Sequence, residues 1–202
     1  MKLVHGVGVN DADYPVRVLD KDTGKRIMCP FYMTWSNMLG RCYLKNKKFE
    51  AYAMVEVCEE WKIFSNFKRW MEKQDWQDKF LDKDILFENN LVYCPEACIF
   101  VPREINNFFV ARMPQRGECL MGVRRKGPSF AAYCKDGVKD TQVYLGTFPT
   151  QIEAHMRYLE CKLQLLRDLI RTVDDSRLLL GLRRIENKIV LALSSKTPIE
   201  NF

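Results

Sequence analysis

Long hydrophobic runs are missing from this 202-residue sequence. A membrane-spanning helix needs roughly 18 to 20 consecutive apolar residues, and no stretch approaches that, so no membrane partner is expected. The opening Met1-Lys2-Leu3-Val4-His5-Gly6 lacks the apolar core of a signal peptide. The protein is therefore expected to stay in the cytosol where it is made. A second cysteine pair is missing as well. Only Cys94-Pro95-Glu96-Ala97-Cys98 approaches metal-ligand spacing, and a structural zinc would want another such pair, so zinc is not expected. In a reducing compartment most of the eight cysteines should be free, buried and apolar in character. Histidine is scarce: His5 and His155 stand alone, and His155 reads as a helix-surface residue.

What is present is enough to fold. A hydrophobic fraction of 47%, with 12% aromatic residues, can bury a core and argues against disorder. The net charge of +6 favours a polyanionic partner, because Lys and Arg near phosphates gain affinity by releasing counterions.

The first 28 residues read as turn-rich and partly extended, with a turn at Asp22-Thr23-Gly24-Lys25. From Pro30 to Tyr43, the spacing of Phe31, Trp35, Met38, Leu39 and Cys42 predicts an amphipathic helix that Pro30 is suited to start. A basic turn at Lys45–Lys48 leads to a second helical pattern, whose stripe of Trp61, Phe64, Phe67, Trp70 and Met71 is expected in the core. Between Asp75 and Arg103, short apolar runs broken by Asn89-Asn90 and Pro95 suit a hairpin followed by a helix near Pro102. Charge, Pro and Gly without apolar periodicity mark 111–117 as a linker.

Beyond it, Leu120–Arg124, Ser129–Lys135 and Gln142–Leu145 are strand candidates. Thr150 with Glu153 three residues on forms a capping box for a long helix carrying Leu159, Leu163, Leu166 and Ile170. A last helix from Ser176 to Leu193 shows Leu179, Leu182, Ile185, Ile189 and Leu193 at helical spacing. It either packs on the domain or, through residues 176–193, meets a second copy or a host protein.

Strand alternation lets basic and aromatic residues share one face of the C-terminal sheet while Val123, Ala132 and Cys134 pack on the helix. A ribbon of that width fits the DNA major groove. The strings GVRRKGPSFAAYCKDG and VYLGTFPTQIEAHMRYLECK resemble the apetala-two (ethylene-response-factor type) DNA-binding domain, in which three strands lie in the major groove on a supporting helix. That resemblance implies double-stranded DNA as partner and puts Arg124, Arg125, Lys135 and Tyr144 on strand positions that meet it; Lys126 and Tyr133, a basic and an aromatic residue of the same strands, complete the expected DNA-binding set. Phe130 replaces the family's usual Trp, and Tyr133 a common Glu. Residues 110–171 hold eleven Lys or Arg against six acids, so most of the excess charge lies there.

Upstream, Leu81-Asp82-Lys83-Asp84-Ile85, Asn89-Asn90, the Cys94–Cys98 run and Pro102-Arg103-Glu104-Ile105-Asn106-Asn107 resemble the HNH motif of phage homing endonucleases. The resemblance implies a strand–strand–helix site binding Mg²⁺ or Mn²⁺, with Asp82 and Asn106 as metal ligands and Asp84 as the alternative acid. Lys83 stands in the place of the general-base His, and Ala97 in that of the Asn that braces the loop. A lysine with its ordinary pKa of about 10.4 is protonated and cannot accept a proton.

The expected architecture is α+β: an N-terminal helical and HNH-like domain over 1–110, an apetala-two-like domain over 117–171, and an amphipathic helix over 172–202. Two functions on DNA stand open, beside a third reading in which the chain keeps the scaffold and engages a bacterial protein through its Leu-rich tail. One is a phage homing-type endonuclease acting in the bacterial host cytoplasm, with Asp82, Lys83 and Asn106 at its catalytic centre. The other is a catalytically inactive descendant that binds DNA as a regulator or inhibits a host factor.

Overall fold

The computed structural model describes residues 3–44, 49, 52–109, 118–136 and 141–200. The expected basic turn at Lys45–Lys48 and the linker at 111–117 lie outside the described residues. The architecture is α+β, with small sheets in the first half and a three-stranded antiparallel sheet on a long helix in the second. The chain divides into two compact units, Met1–Val101 and Pro102–Phe202.

In the first unit a hairpin of β1 (Arg17–Leu19) and β2 (Arg26–Met28) closes through the Asp20–Lys25 turn, where the Asp20 carboxylate accepts the N–H groups of Asp22 and Thr23. Helix α1 (Pro30–Tyr43) starts at Pro30, as the spacing predicts, because proline at the first turn forfeits no intrahelical hydrogen bond. Its Trp35, Met38 and Leu39 are fully buried, and the Trp35 indole N–H donates to the Trp61 carbonyl at 2.6 Å. The expected second helix is broken in two: a 3-10 turn over Glu59–Lys62, then α2 (Phe64–Met71), with extended Ile63 between them. The aromatic stripe survives the break. Trp61, Phe64, Phe67 and Met71 lie in the core, and Trp61 meets Phe67 edge-on at 5.1 Å.

Strand β3 (Glu56–Val57) pairs in parallel with β5 (Val92–Tyr93), while β4 (Phe80–Asp82) pairs antiparallel with β6 (Ile99–Val101). The hairpin expected over this stretch is thus interleaved. The chain leaves β4, passes through a loop, joins β3 at Val92-Tyr93, and only then returns to pair with β4.

The second unit begins with α3 (Arg103–Phe109) behind Pro102 and continues through β7 (Val123–Lys126), β8 (Ser129–Asp136) and β9 (Thr141–Phe148) to α4 (Gln151–Ile170) and α5 (Ser176–Ser195). The first of these strands starts later than its expected position at Leu120. Gly122 adopts φ of +74°, and a Cβ there would fall 2.1 Å from the Tyr158 ring, so the chain turns at this point against α4 before extending. The capping box at Thr150 and Glu153 is formed in both directions.

On α4, Leu159, Leu166 and Ile170 are buried as the periodicity predicts. Helix α5 packs on α4 in the same unit, and Leu182, Ile185 and Ile189 are buried there. Its apolar stripe therefore belongs to this unit's own core. Glu186 joins the two helices, accepting from Arg167 Nε and Arg183 Nη1 at 2.7 Å each, and these guanidinium groups hold its carboxyl below the usual range. Among the described residues no helix is long and apolar enough to cross a membrane.

Candidate nucleic-acid interface and acidic loop

Strand register decides which side chains of the C-terminal sheet share a face. Arg124 lies opposite Ala131, which lies opposite Thr147; Tyr133 lies opposite Tyr144; and Lys135 lies opposite Gln142. These positions look away from α4. Val123, Ala132 and, on the helix, Ala154 form the buried side, with Phe130, Leu145 and Phe148 packed around them. A bulge between Ala132 and Tyr133 shifts the register by one and brings the two tyrosines opposite each other, their rings 5.5 Å apart.

The outward face is organised by its aromatic rings. The Arg124 guanidinium sits 4.8 Å from the Tyr133 ring centroid, and its Nη2 donates to Gln142 Oε1 at 3.1 Å. Lys126 Nζ lies 5.7 Å from the Tyr144 centroid, while the Tyr144 hydroxyl bonds Thr147 Oγ1 at 2.7 Å. Each cation–aromatic contact contributes about 0.5 to 1 kcal/mol at an exposed site. Their larger effect is to limit the rotamers of two long cationic side chains, which lowers the entropy lost when these side chains meet a ligand. Arg124, Lys126 and Tyr144 are exposed and Tyr133 is half-buried.

Arg125 departs from its neighbours. It pairs with Phe130, whose partner Phe148 lies on the helix side, so alternation sends Arg125 away from Arg124 and Lys126; its Nε donates to the Gly127 carbonyl at 3.5 Å. Of the six side chains expected to bind DNA, five therefore share one face, and Arg125 stands at the sheet edge on the other parity.

The acidic loop of the first unit follows β4. Asp82 Oδ1 accepts the N–H groups of Asp84 at 2.8 Å and Ile85 at 2.9 Å, which bends the chain sharply. Burial raises the Asp82 carboxyl above its ordinary value, against the lowering effect of those two bonds. Lys83 is buried at 6% exposure, its ammonium bonded to Asp84 Oδ1 at 2.6 Å and the Asn90 carbonyl at 2.8 Å, beside the Tyr93 ring. The brace sought at Ala97 is supplied from another position. Asn90 donates to the carbonyls of Lys83 and Val92, both at 2.8 Å, and accepts from Val92 N–H at 3.2 Å, tying the loop's two ends together. Its signal was in the sequence as Asn89-Asn90, but only the fold shows that the second amide faces inward.

Asn106 is half-buried on α3 in the second unit. A divalent ion could take the Asp82 oxygen that does not hold the loop. The Asp84 carboxylate fits less well, because it already neutralises Lys83. Among the described residues no three His, Cys, Asp or Glu side chains are grouped to hold a metal ion. His155 is not on the surface: it is fully buried, its Nδ1 bonded to the Met121 carbonyl at 2.8 Å and its Nε2 accepting the Ile199 N–H at 3.1 Å. The sequence hid this role because Met121 and Ile199 are distant along the chain.

Comparison with protein-family models, with curated proteins and with solved structures gives no match.

Proposed function

We propose that this chain binds double-stranded DNA through the outward face of β7, β8 and β9. The observation that carries the reading is the pair of ring-braced cations, Arg124 on Tyr133 and Lys126 on Tyr144, displayed on a sheet whose other face is closed by α4. A twisted antiparallel ribbon fits the major groove, where guanidinium and ammonium groups reach phosphate oxygens and base edges. The apetala-two-like strings and the local excess of positive charge support the same surface. Fluorescence anisotropy with labelled duplexes at several salt concentrations tests it. Arg124→Ala should cost roughly 1 to 3 kcal/mol of binding if the side chain meets a base edge, and should lower the salt slope by about 1 if it meets phosphate. An Arg124→Ala/Lys126→Ala protein that binds like the parent would place the interface elsewhere.

A second reading adds metal-dependent cleavage of the phosphodiester, as in the phage homing endonucleases that the central motifs resemble. It is supported by the antiparallel pairing of β4 with β6 and by a carboxylate at the end of β4. Mg²⁺ or Mn²⁺ bound at Asp82 would offset charge on the phosphate. Lys83 does not serve as base on this reading, since its ammonium is committed to Asp84 and Asn90. Incubating DNA with the protein and Mg²⁺ or Mn²⁺, beside Asp82→Ala, decides between this and a DNA-binding regulator of the bacterial host. Nicking that disappears with Asp82 supports catalysis. Equal nicking, or none from either, removes it.

A further inference from the structure

Two half-buried cysteines meet where β3 and β5 run side by side. The parallel register pairs Glu56 with Val92 and Val57 with Tyr93, and the ladder continues one residue further, because the Cys58 N–H donates to the Tyr93 carbonyl at 3.0 Å. The next pair in that register is Cys58 with Cys94. Register partners in a parallel pair put their side chains on the same face, with Cα atoms about 4.8 Å apart, within the roughly 4.4 to 6.8 Å that a disulfide spans. Val57 and Tyr93 are buried while Glu56 and Val92 are exposed, so alternation turns Cys58 and Cys94 together towards the outer side. Both are free thiols, and a charge on Cys94 acts directly on Cys58.

Cys98, the other member of the sequence motif, is a free thiol as well, but it lies outside this register pair. Burial raises the thiols of both Cys58 and Cys98, but Cys98 is fully buried and closed to a disulfide reagent, whereas Cys58 and Cys94 are only half-buried and stay within reach.

We propose that Cys58 and Cys94 are a disulfide-forming pair that exchanges with a small disulfide such as oxidised glutathione. One thiolate attacks a sulfur of glutathione disulfide, forming a mixed disulfide and expelling one glutathione thiolate. The second protein thiolate then attacks the protein sulfur of that mixed bond and expels the other glutathione. Two protein thiols lose their protons and are oxidised by two electrons, and one glutathione disulfide becomes two thiols. The new bond would join β3 to β5 and enclose α2, β4 and the loop of Asp82, Lys83 and Asn90. This inference rests on strand register alone and stands whether or not the chain binds DNA.

The test uses the full chain, equilibrated without denaturant in glutathione buffers from reducing to oxidising, quenched with N-ethylmaleimide and digested with trypsin. Mass spectrometry should find the peptide containing Cys58 joined to the one containing Cys94 and Cys98, in a yield that rises with the oxidised fraction and reverses with dithiothreitol. Fragmentation before Pro95 separates the two candidate sulfurs and should assign the link to Cys94. In Cys58→Ser, folded by its unchanged tryptophan emission, Cys94 should instead retain glutathione. A link through Cys98, glutathione adducts on the parent protein without a link, or no oxidation of either cysteine would each overturn the proposal.

Discussion

Lys162 gives the sharpest test of the electrostatics. It projects from α4 into the second unit's interior at 5% exposure, donates to the Phe108 carbonyl at 2.6 Å near the end of α3, and lies 3.6 Å from the Phe108 ring centroid. Burial holds its pKa down at about 8, from an ordinary 10.5. Between those values the unfolded chain carries a proton that the folded chain has released, so stability rises with pH from about 8 and levels off above 10.5. At pH 7 both states are protonated and the full cost is in place, roughly 3 kcal/mol as an upper bound, since the ring contact and the carbonyl offset part of it.

Lys162→Met keeps the length of the side chain and removes the charge. It also leaves the Phe108 carbonyl without this donor, at about 1 to 3 kcal/mol. The net expectation at pH 7 is a protein between equal in stability and about 2 kcal/mol more stable, without the parent's gain between pH 7 and 10. Urea unfolding followed by far-ultraviolet circular dichroism reads the helices, of which α4 and α5 are the two longest at 20 residues each. All four tryptophans lie in the first unit, so their fluorescence follows that unit separately. A variant that keeps the parent's alkaline gain would refute the reasoning, because the titrating group would then lie elsewhere.

Three other substitutions probe local geometry. Gly122→Ala puts a methyl group against the Tyr158 ring at a positive φ and should cost at least about 2 kcal/mol, seen as a lower urea midpoint by circular dichroism; an unchanged midpoint would refute the close approach. Thr150→Ala removes the side-chain half of the capping box and should cost about 1 kcal/mol by the same measurement. Asn90→Ala breaks three bonds that close the acidic loop and should cost about 1 to 3 kcal/mol, with faster amide exchange at Val92; protection equal to the parent's would show that the loop is held by other contacts.

Local rules were readable wherever neighbours along the chain decide the outcome. Pro30 opened α1, Thr150 and Glu153 capped α4, and the alternation in β8 separated Ala132 and Cys134 from Tyr133 and Lys135. These features depend on residues within one turn or one strand. The sequence alone therefore determined an α+β chain with a basic, aromatic sheet near its end and a long capped helix behind it.

Tertiary structure decided the rest, because each remaining feature needs partners that sequence spacing does not reveal. A bulge at Ala132/Tyr133 set the tyrosine pair, and register sent Arg125 away from Arg124. Distant carbonyl and amide groups drew His155 inside, and α4 claimed the apolar stripe of α5. The interleaving of β5 between β4 and β6 placed Cys58 beside Cys94. Register and burial are properties of two segments at once, and the free energy that fixes them arises only when those segments meet.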